Sequence, residues 1–176
     1  MKIVFEGIDN TKKNYIINEL LNDDKIGVSG FHLDKIQKSQ SYNSYYIKGL
    51  GDEFYDISKE DDLMVGRIDF KGNIVANPEA FDLFGVNSLL HNIHKKNLLI
   101  MECVNNLGKE ANIFKEVAND ILNSNKSVIF LTDKIDESIV KTMSLRSDIH
   151  YLNFDCEDYS IIKTYIEKTK DDIRKQ

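Results

Sequence analysis

Apolar positions along the chain fall into two kinds of run. Ile3-Val4-Phe5, Leu98-Leu99-Ile100-Met101 and Val128-Ile129-Phe130-Leu131 are short and unbroken, the pattern of strands buried on both faces of a parallel sheet. Between them apolar residues recur three and four apart: Ile16, Ile17, Leu20 and Leu21, then Phe114, Val117, Ala118, Ile121 and Leu122, and last Ile161, Ile162, Tyr165 and Ile166. That spacing lays one apolar stripe along a helix. Ile149 to Phe154 reads as a fourth strand, and Asp136 to Met143 as a short helix before it. Buried strands alternating with amphipathic helices predict an α/β fold, a three-layer α/β/α sandwich on a mainly parallel sheet with right-handed crossovers.

Two stretches depart from that rhythm. Ile26 to Ile36 is β-prone, with Gly27 and Gly30 near its start, and residues 37 to 75 carry short aromatic segments around Tyr45-Tyr46-Ile47, Phe54-Tyr55 and Leu63-Met64-Val65, broken by Gly49, Gly51, Gly66 and Gly72. Such breaks predict an antiparallel hairpin excursion at the sheet edge, within one domain spanning 1–176. Tyr42, Tyr45 and Tyr46 have the chemistry to stack on a base, but aromatics in short strands mostly pack, and packing is the expectation. Asn77-Pro78-Glu79 predicts a helix start, with Asn77 as cap and Pro78 at the first position. The helix is expected to reach about His94, with Gly85 as its weak point and Lys95-Lys96 in solvent beyond it. His91 and His94 would then share a face at metal-binding spacing, against the plainer reading of a solvated helix end.

A chain of 176 residues with 41% hydrophobic positions can bury a core of its own. A formal charge of −6 and a pI near 5.2 argue against a nucleic-acid surface, which concentrates basic residues. Cys103 and Cys156 lie far apart with no metal-ligand spacing, which suits structural thiols in a reducing compartment. The chain opens directly on a strand, and no apolar run approaches the roughly 18 residues of a membrane span. The expectation is a cytoplasmic protein with no membrane partner.

The turn after the first strand carries the candidate chemistry. Gly7-Ile8-Asp9-Asn10-Thr11-Lys12-Lys13-Asn14 stands where G-x-x-x-x-G-K-S/T binds phosphates. In that pattern glycines let backbone amides close around the phosphates, the lysine reaches the terminal ones, and the hydroxyl holds magnesium. Gly7 and Lys13 are in register, whereas Lys12 replaces the second glycine and Asn14 the hydroxyl. Gly7, Asp9, Asn10, Thr11, Lys12, Lys13 and Asn14 are therefore the expected contacts to ATP or GTP. A side chain at position 12 would cost about 1–3 kcal/mol if that residue needed positive φ, while its charge would partly compensate. A second strand of such proteins ends in an acid that reaches magnesium. Glu102, after Leu98 to Met101, has that position, so Asn14 and Glu102 are the expected Mg²⁺ ligands.

Over most of its length the chain resembles the small P-loop nucleoside-triphosphatases, often labelled cancer-related or thermophilic nucleoside-triphosphatases, and the segment from Glu102 carries the likeness most fully. Their pattern is close to D-E-x-G-x-x-E-x-x-A-x-x-F, and Glu102-Cys103-Val104-Asn105-Asn106-Leu107-Gly108-Lys109-Glu110-Ala111-Asn112-Ile113-Phe114 fits it without a gap. The frame is kept while the acids are lost. Glu102 matches the magnesium aspartate, Cys103 the glutamate that activates water, Asn105 the glycine and Gly108 the second acid, with Ala111 and Phe114 at structural positions. Gly30-Phe31 and the run N-P-E-x-F-D-x-x-G-V at Asn77 to Val86 are similar to further family segments. The asparagine-arginine pair that members carry near a final helix is missing from Asn153-Phe154-Asp155-Cys156-Glu157-Asp158. The front end, Phe5-Glu6-Gly7-Ile8-Asp9, also resembles thymidylate kinases, but their arginine signature has no counterpart among Arg67, Arg146 and Arg174, the chain's three arginines.

The resemblance implies a P-loop fold, Mg²⁺ and ATP or GTP as cofactors, and triphosphate hydrolysis centred on position 103. Loss of a positioned base costs about 10²- to 10⁴-fold in rate, and a neutral thiol is a poor base. Cys103 as a nucleophile would need an activating histidine or helix N-terminus, and His32, His91, His94 and His150 show no triad spacing. The expectation is a catalytically degenerate protein, with weak or absent nucleotide binding and a sensing or partner-binding role. The alternative is a slow ATP or GTP hydrolase or a nucleotide kinase with rearranged ligands, drawing on Glu6, Asp9 or Glu110 for its carboxylate.

Overall fold

The first apolar run becomes β1 (Lys2–Glu6), and the computed structural model describes it together with the rest of residues 1–37, 39–50, 63–104, 106–133, 145–154 and 159–175. Helix α1 (Asn10–Leu21) follows, then β2 (Val28–Ile36), β3 (Tyr42–Gly49), β4 (Met64–Asp69) and β5 (Ile74–Ala76). After the segment Pro78 to Leu90 come β6 (Leu98–Cys103), α4 (Asn112–Asn123), β7 (Ser127–Thr132), β8 (His150–Asn153) and α5 (Tyr159–Arg174). The eight strands form one sheet in the order β5-β4-β3-β2-β6-β7-β1-β8. The four strands β6, β7, β1 and β8 lie side by side and parallel, as the unbroken apolar runs predict. The helix predicted over Asp136 to Met143, the Phe54-Tyr55 segment, Asn105 and Cys156 fall outside the described residues.

β2 joins two kinds of sheet. Its first half pairs parallel with β6, Val28 to Gly30 against Leu98 to Ile100, and its second half pairs antiparallel with β3. Gly30 sits at the changeover with φ +108, and a Cβ there would lie 1.9 Å from the Ile100 carbonyl oxygen, so no other residue fits. Beyond it, β3, β4 and β5 continue antiparallel, which is the predicted hairpin excursion. Tyr45 and Tyr46 are buried, and Tyr42 takes the Arg67 guanidinium over its ring at 5.3 Å, in keeping with packing.

Period-two alternation sorts the strand side chains into two layers. Ile3, Phe5, Ile100 and Leu131 pack with Ile16, Ile17 and Leu20 of α1 and with Ile162 and Ile166 of α5. Val4, Leu99, Met101 and Phe130 face the other way, onto Phe114 and Ala118 of α4 and onto Phe81 and Leu89. Each such aliphatic or aromatic side chain contributes about 1.5–3 kcal/mol by leaving water.

The segment from Pro78 corrects four expectations. It runs as α2 (Pro78–Ala80), a π-helical turn (Phe81–Gly85) and α3 (Val86–Leu90), so Gly85 closes a π turn instead of breaking the helix. Asn77 makes no side-chain cap; its amide nitrogen donates to the Met64 carbonyl at 2.9 Å. The helix stops at Leu90, short of His94, because Ser29 Oγ donates to the Ser88 carbonyl at 2.8 Å and Asn92 turns left-handed with φ 50. His91 and His94 consequently share no helix face.

Candidate phosphate-loop site

At the carboxyl end of β1 the chain reverses through Gly7, whose φ is +73, and enters α1 at once. Asp9 caps that helix: its Oδ1 accepts from the Lys12 amide at 2.8 Å, and its Oδ2 lies 3.7 Å from Lys12 Nζ. The Lys12 amide first, and the Lys12 ammonium with it, hold the Asp9 carboxyl below the usual carboxylate range. Asn92 is the one non-glycine with positive φ among the described residues. Lys12 therefore has an ordinary helical backbone, and the strain expected at position 12 does not arise: with the helix beginning at Asn10, the residue lies inside its first turn.

Lys13 points to the sheet. Its Nζ donates to the Leu33 carbonyl at 2.6 Å and to Glu102 Oε1 at 3.2 Å, and the two charged side chains are 6% and 8% exposed. The second Glu102 oxygen accepts from the Leu33 amide at 2.7 Å. Burial pushes the Glu102 carboxyl up, with Lys13 pulling against it. The pair satisfies both backbone groups of Leu33 where β2, past Gly30, has left its partner β6. It works as a strand staple, uniting the phosphate-loop lysine with the expected magnesium acid.

The remaining expected residues are placed as follows. Asn10, Thr11 and Asn14 are exposed on the first turns of α1, so Asn14 faces solvent while Glu102 is buried with both oxygens engaged. No group of three His, Cys, Asp or Glu suited to a metal occurs among the described residues. In this arrangement the residues do not fit Mg²⁺ with a triphosphate: the acid is committed to lysine and the Lys12 amide to Asp9. Cys103 is buried in the α4 layer. A Cβ built on Gly108 would lie 3.5 Å from Cys103 Sγ and 3.8 Å from the Phe114 ring, so both positions of the lost acids face an apolar core. Glu110 is exposed. Glu6 is buried and accepts from the Tyr151 hydroxyl and from Asn153 Nδ2 at 3.0 Å. Of the three alternative carboxylates, Asp9 is the one seated on the loop.

Sequence reasoning missed two contributors. Asp82 Oδ1 accepts from the Phe114 amide at 2.8 Å, taking up the start of α4; its signal was the N-P-E-x-F-D run. His32 stands between Phe31 and Leu33, which both face the α4 layer, so alternation turns it toward α1; that signal was readable in the β-prone stretch.

A parallel sheet with a loop between β1 and α1, and an acid at the end of β6 meeting the loop lysine, defines a P-loop α/β protein. A family model described as NTPase matches residues 8–166, and the chain belongs to that family of P-loop nucleoside-triphosphatases. In fold it is similar to THEP1 from the hyperthermophile Aquifex aeolicus, at 13% identity over 94% of this chain and 96% of that one, with a TM-score of 0.66. It is similar also to a human cancer-related nucleoside triphosphatase, at 10% identity over 99% and 98% of the two chains, with a TM-score of 0.63. No curated protein matches it in sequence. Among the described residues no helix is long and apolar enough to cross a membrane.

Proposed function

We propose that this chain is a catalytically degenerate P-loop NTPase, a scaffold whose role is weak nucleotide sensing or partner binding instead of turnover. The observation that carries the reading is the commitment of Lys13 to Glu102 and to the Leu33 carbonyl. To meet a terminal phosphate the lysine must leave a buried carboxylate unpaired, and stranding one charge of a buried pair is strongly unfavourable. Asp9 adds to this, because its carboxylate holds the amide and faces the ammonium that a phosphate would use at a helix N-terminus. The positions of the lost acids point into the core, so among the described residues neither of them brings a water-activating carboxylate to the loop. With Glu102 committed to Lys13, the described residues offer transition-state charge less of the metal and base support that dominates phosphoryl transfer.

Calorimetric titration with ATP and with GTP, each with Mg²⁺, tests the reading. The unaltered protein is expected to bind with a Kd of about 1 mM or weaker, and Asp9→Ala, which frees the Lys12 amide and ammonium, about tenfold more tightly. Micromolar binding by the unaltered protein, lost in Lys13→Ala, would overturn it.

A further inference from the structure

The three tyrosines suited by sequence to stack on a base are engaged elsewhere: Tyr45 and Tyr46 are buried, and Tyr42 lies under the Arg67 guanidinium. The structure sets a different pair beside the phosphate loop. Tyr15, on the second turn of α1, meets Tyr159, the first residue of α5, with ring centroids 5.8 Å apart and planes at 76°. Tyr15 is half-buried against the α1-side layer, whereas Tyr159 is 44% exposed. Tyr42 and Tyr165 carry cations over their rings; among the described residues Tyr159 carries none.

Topology places this pair on the ligand edge. Helices α1 and α5 each follow one of two neighbouring parallel strands, β1 and β8, and so begin at the carboxyl edge, where open α/β sheets bind ligands. They run side by side in one direction: beyond the tyrosines, Glu19 meets Lys170 at 3.2 Å and Asp23 meets Arg174 at 2.7 Å. Helical side chains lean toward the N-terminus of their own helix, which carries the Tyr15 ring back over the turn of Thr11 and Lys12. From the helix start at Asn10 to Tyr15 is about 7.5 Å along the axis, a span that a ribose bridges between a phosphate and its base.

An exposed tyrosine face stacks on any nucleobase, because every base has a π surface and no particular hydrogen-bond pattern is required. The edge-on contact with Tyr15 holds the Tyr159 ring in place before a ligand arrives. Stacking also asks nothing of Lys13, which keeps Glu102 and the Leu33 carbonyl.

We propose that Tyr15 and Tyr159 form a stacking subsite for the base of a nucleotide, beside the closed phosphate loop. The inference rests on the nucleotide-sensing reading and deepens it: the base is the part of the ligand that is recognised, so a nucleoside without phosphate binds, and Mg²⁺ makes no difference to it.

Ring ¹H–¹³C correlation spectra of the unaltered protein, labelled on its eight tyrosines, read the pair directly. Adenosine raised to about 10 mM, the range of millimolar affinities, is expected to move the Tyr15 and Tyr159 signals saturably, with or without Mg²⁺, while ribose 5-phosphate leaves them in place. Tyr159→Phe, which keeps the ring, is expected to bind adenosine as the unaltered protein does, read on the Tyr15 signals. Tyr159→Ala is expected to keep the melting temperature and bind about tenfold more weakly. No movement with adenosine, equal movement with ribose 5-phosphate, or a Tyr159→Ala variant that binds as before would overturn the proposal. Tight ATP binding through Lys13 would overturn the reading of the loop instead, and adenosine, which has no phosphate, still decides the subsite.

Discussion

Helices α1 and α4 begin alike and are capped differently. Each follows a parallel strand of the sheet centre, β1 or β6, and neither carries an acidic residue in its first turn. Each has one first-turn amide held by an aspartate, which meets the positive end of the helix dipole. For α1 that aspartate is Asp9, three residues from the amide it holds and with a side chain 59% exposed. For α4 it is Asp82, 32 residues away on the π turn, while the N-cap position, Ala111, offers no side-chain acceptor. A local cap in solvent can rotate away and leave the helix start open. A cap delivered by another element ties two parts of the fold together and is released only when they separate. The loop that could bind phosphate is thus closed by its most easily released group, with the Lys13–Glu102 staple beneath it as the fixed part.

The staple sets the largest expected effect. Lys13→Ala should cost about 3–5 kcal/mol, as removal of one partner of a buried ion pair does, read as a lowered midpoint in urea unfolding. The joint change Lys13→Met with Glu102→Leu should return only part of it, since no charge is stranded but the Leu33 amide and carbonyl lose their partners. A loss below about 1 kcal/mol, the scale of a surface pair, would mean that the pair does not hold β2. Next in size is a pH effect of His32. Its folded pKa of about 4 lies below the ordinary 6.5, so the unfolded chain takes up the proton first and stability falls as pH drops from about 6.5 to 4, by about 3 kcal/mol in all. His32→Gln should flatten that part of the profile, and an unchanged slope would contradict the buried neutral ring.

The two caps come third and fourth, and they test the comparison itself. Asp82→Ala should cost about 1–2 kcal/mol, at the upper end for helix caps, because the π turn loses its tie to α4. Asp9→Ala should cost about 0.5–1 kcal/mol. The Asp9 carboxyl is held below the usual range, so its contribution is present above the unfolded value of about 3.9 and disappears as pH falls through the folded one. Equal losses for the two variants would remove the distinction between a releasable and a welded cap.

Much of this was legible in the sequence. Continuous apolar runs located the central strands because parallel strands are buried on both faces, and Gly7 with Lys13 located the loop because their spacing, directly after a buried strand, is that of a phosphate loop. What escaped was what depends on partners far along the chain. Asn77 reads as a cap, yet its amide is drawn to Met64 by the β4 backbone. The helix predicted to His94 ends at Leu90 through Ser29, some sixty residues earlier. Glu102 and Lys13 each fit a ligand role when taken alone. That they bind each other follows from Gly30, which lets β2 leave β6 and presents Leu33 to both.

Phosphate release from ATP and from GTP by the unaltered protein, with Mg²⁺ in excess, tests the central claim most directly. A loop lysine tied to Glu102, a helix start held by Asp9 and core-facing positions in place of the acids predict release no faster than the protein-free control. Turnover of about 1 per second, the low end of ordinary enzymes, and its loss in Lys13→Met with Glu102→Leu, would contradict the account.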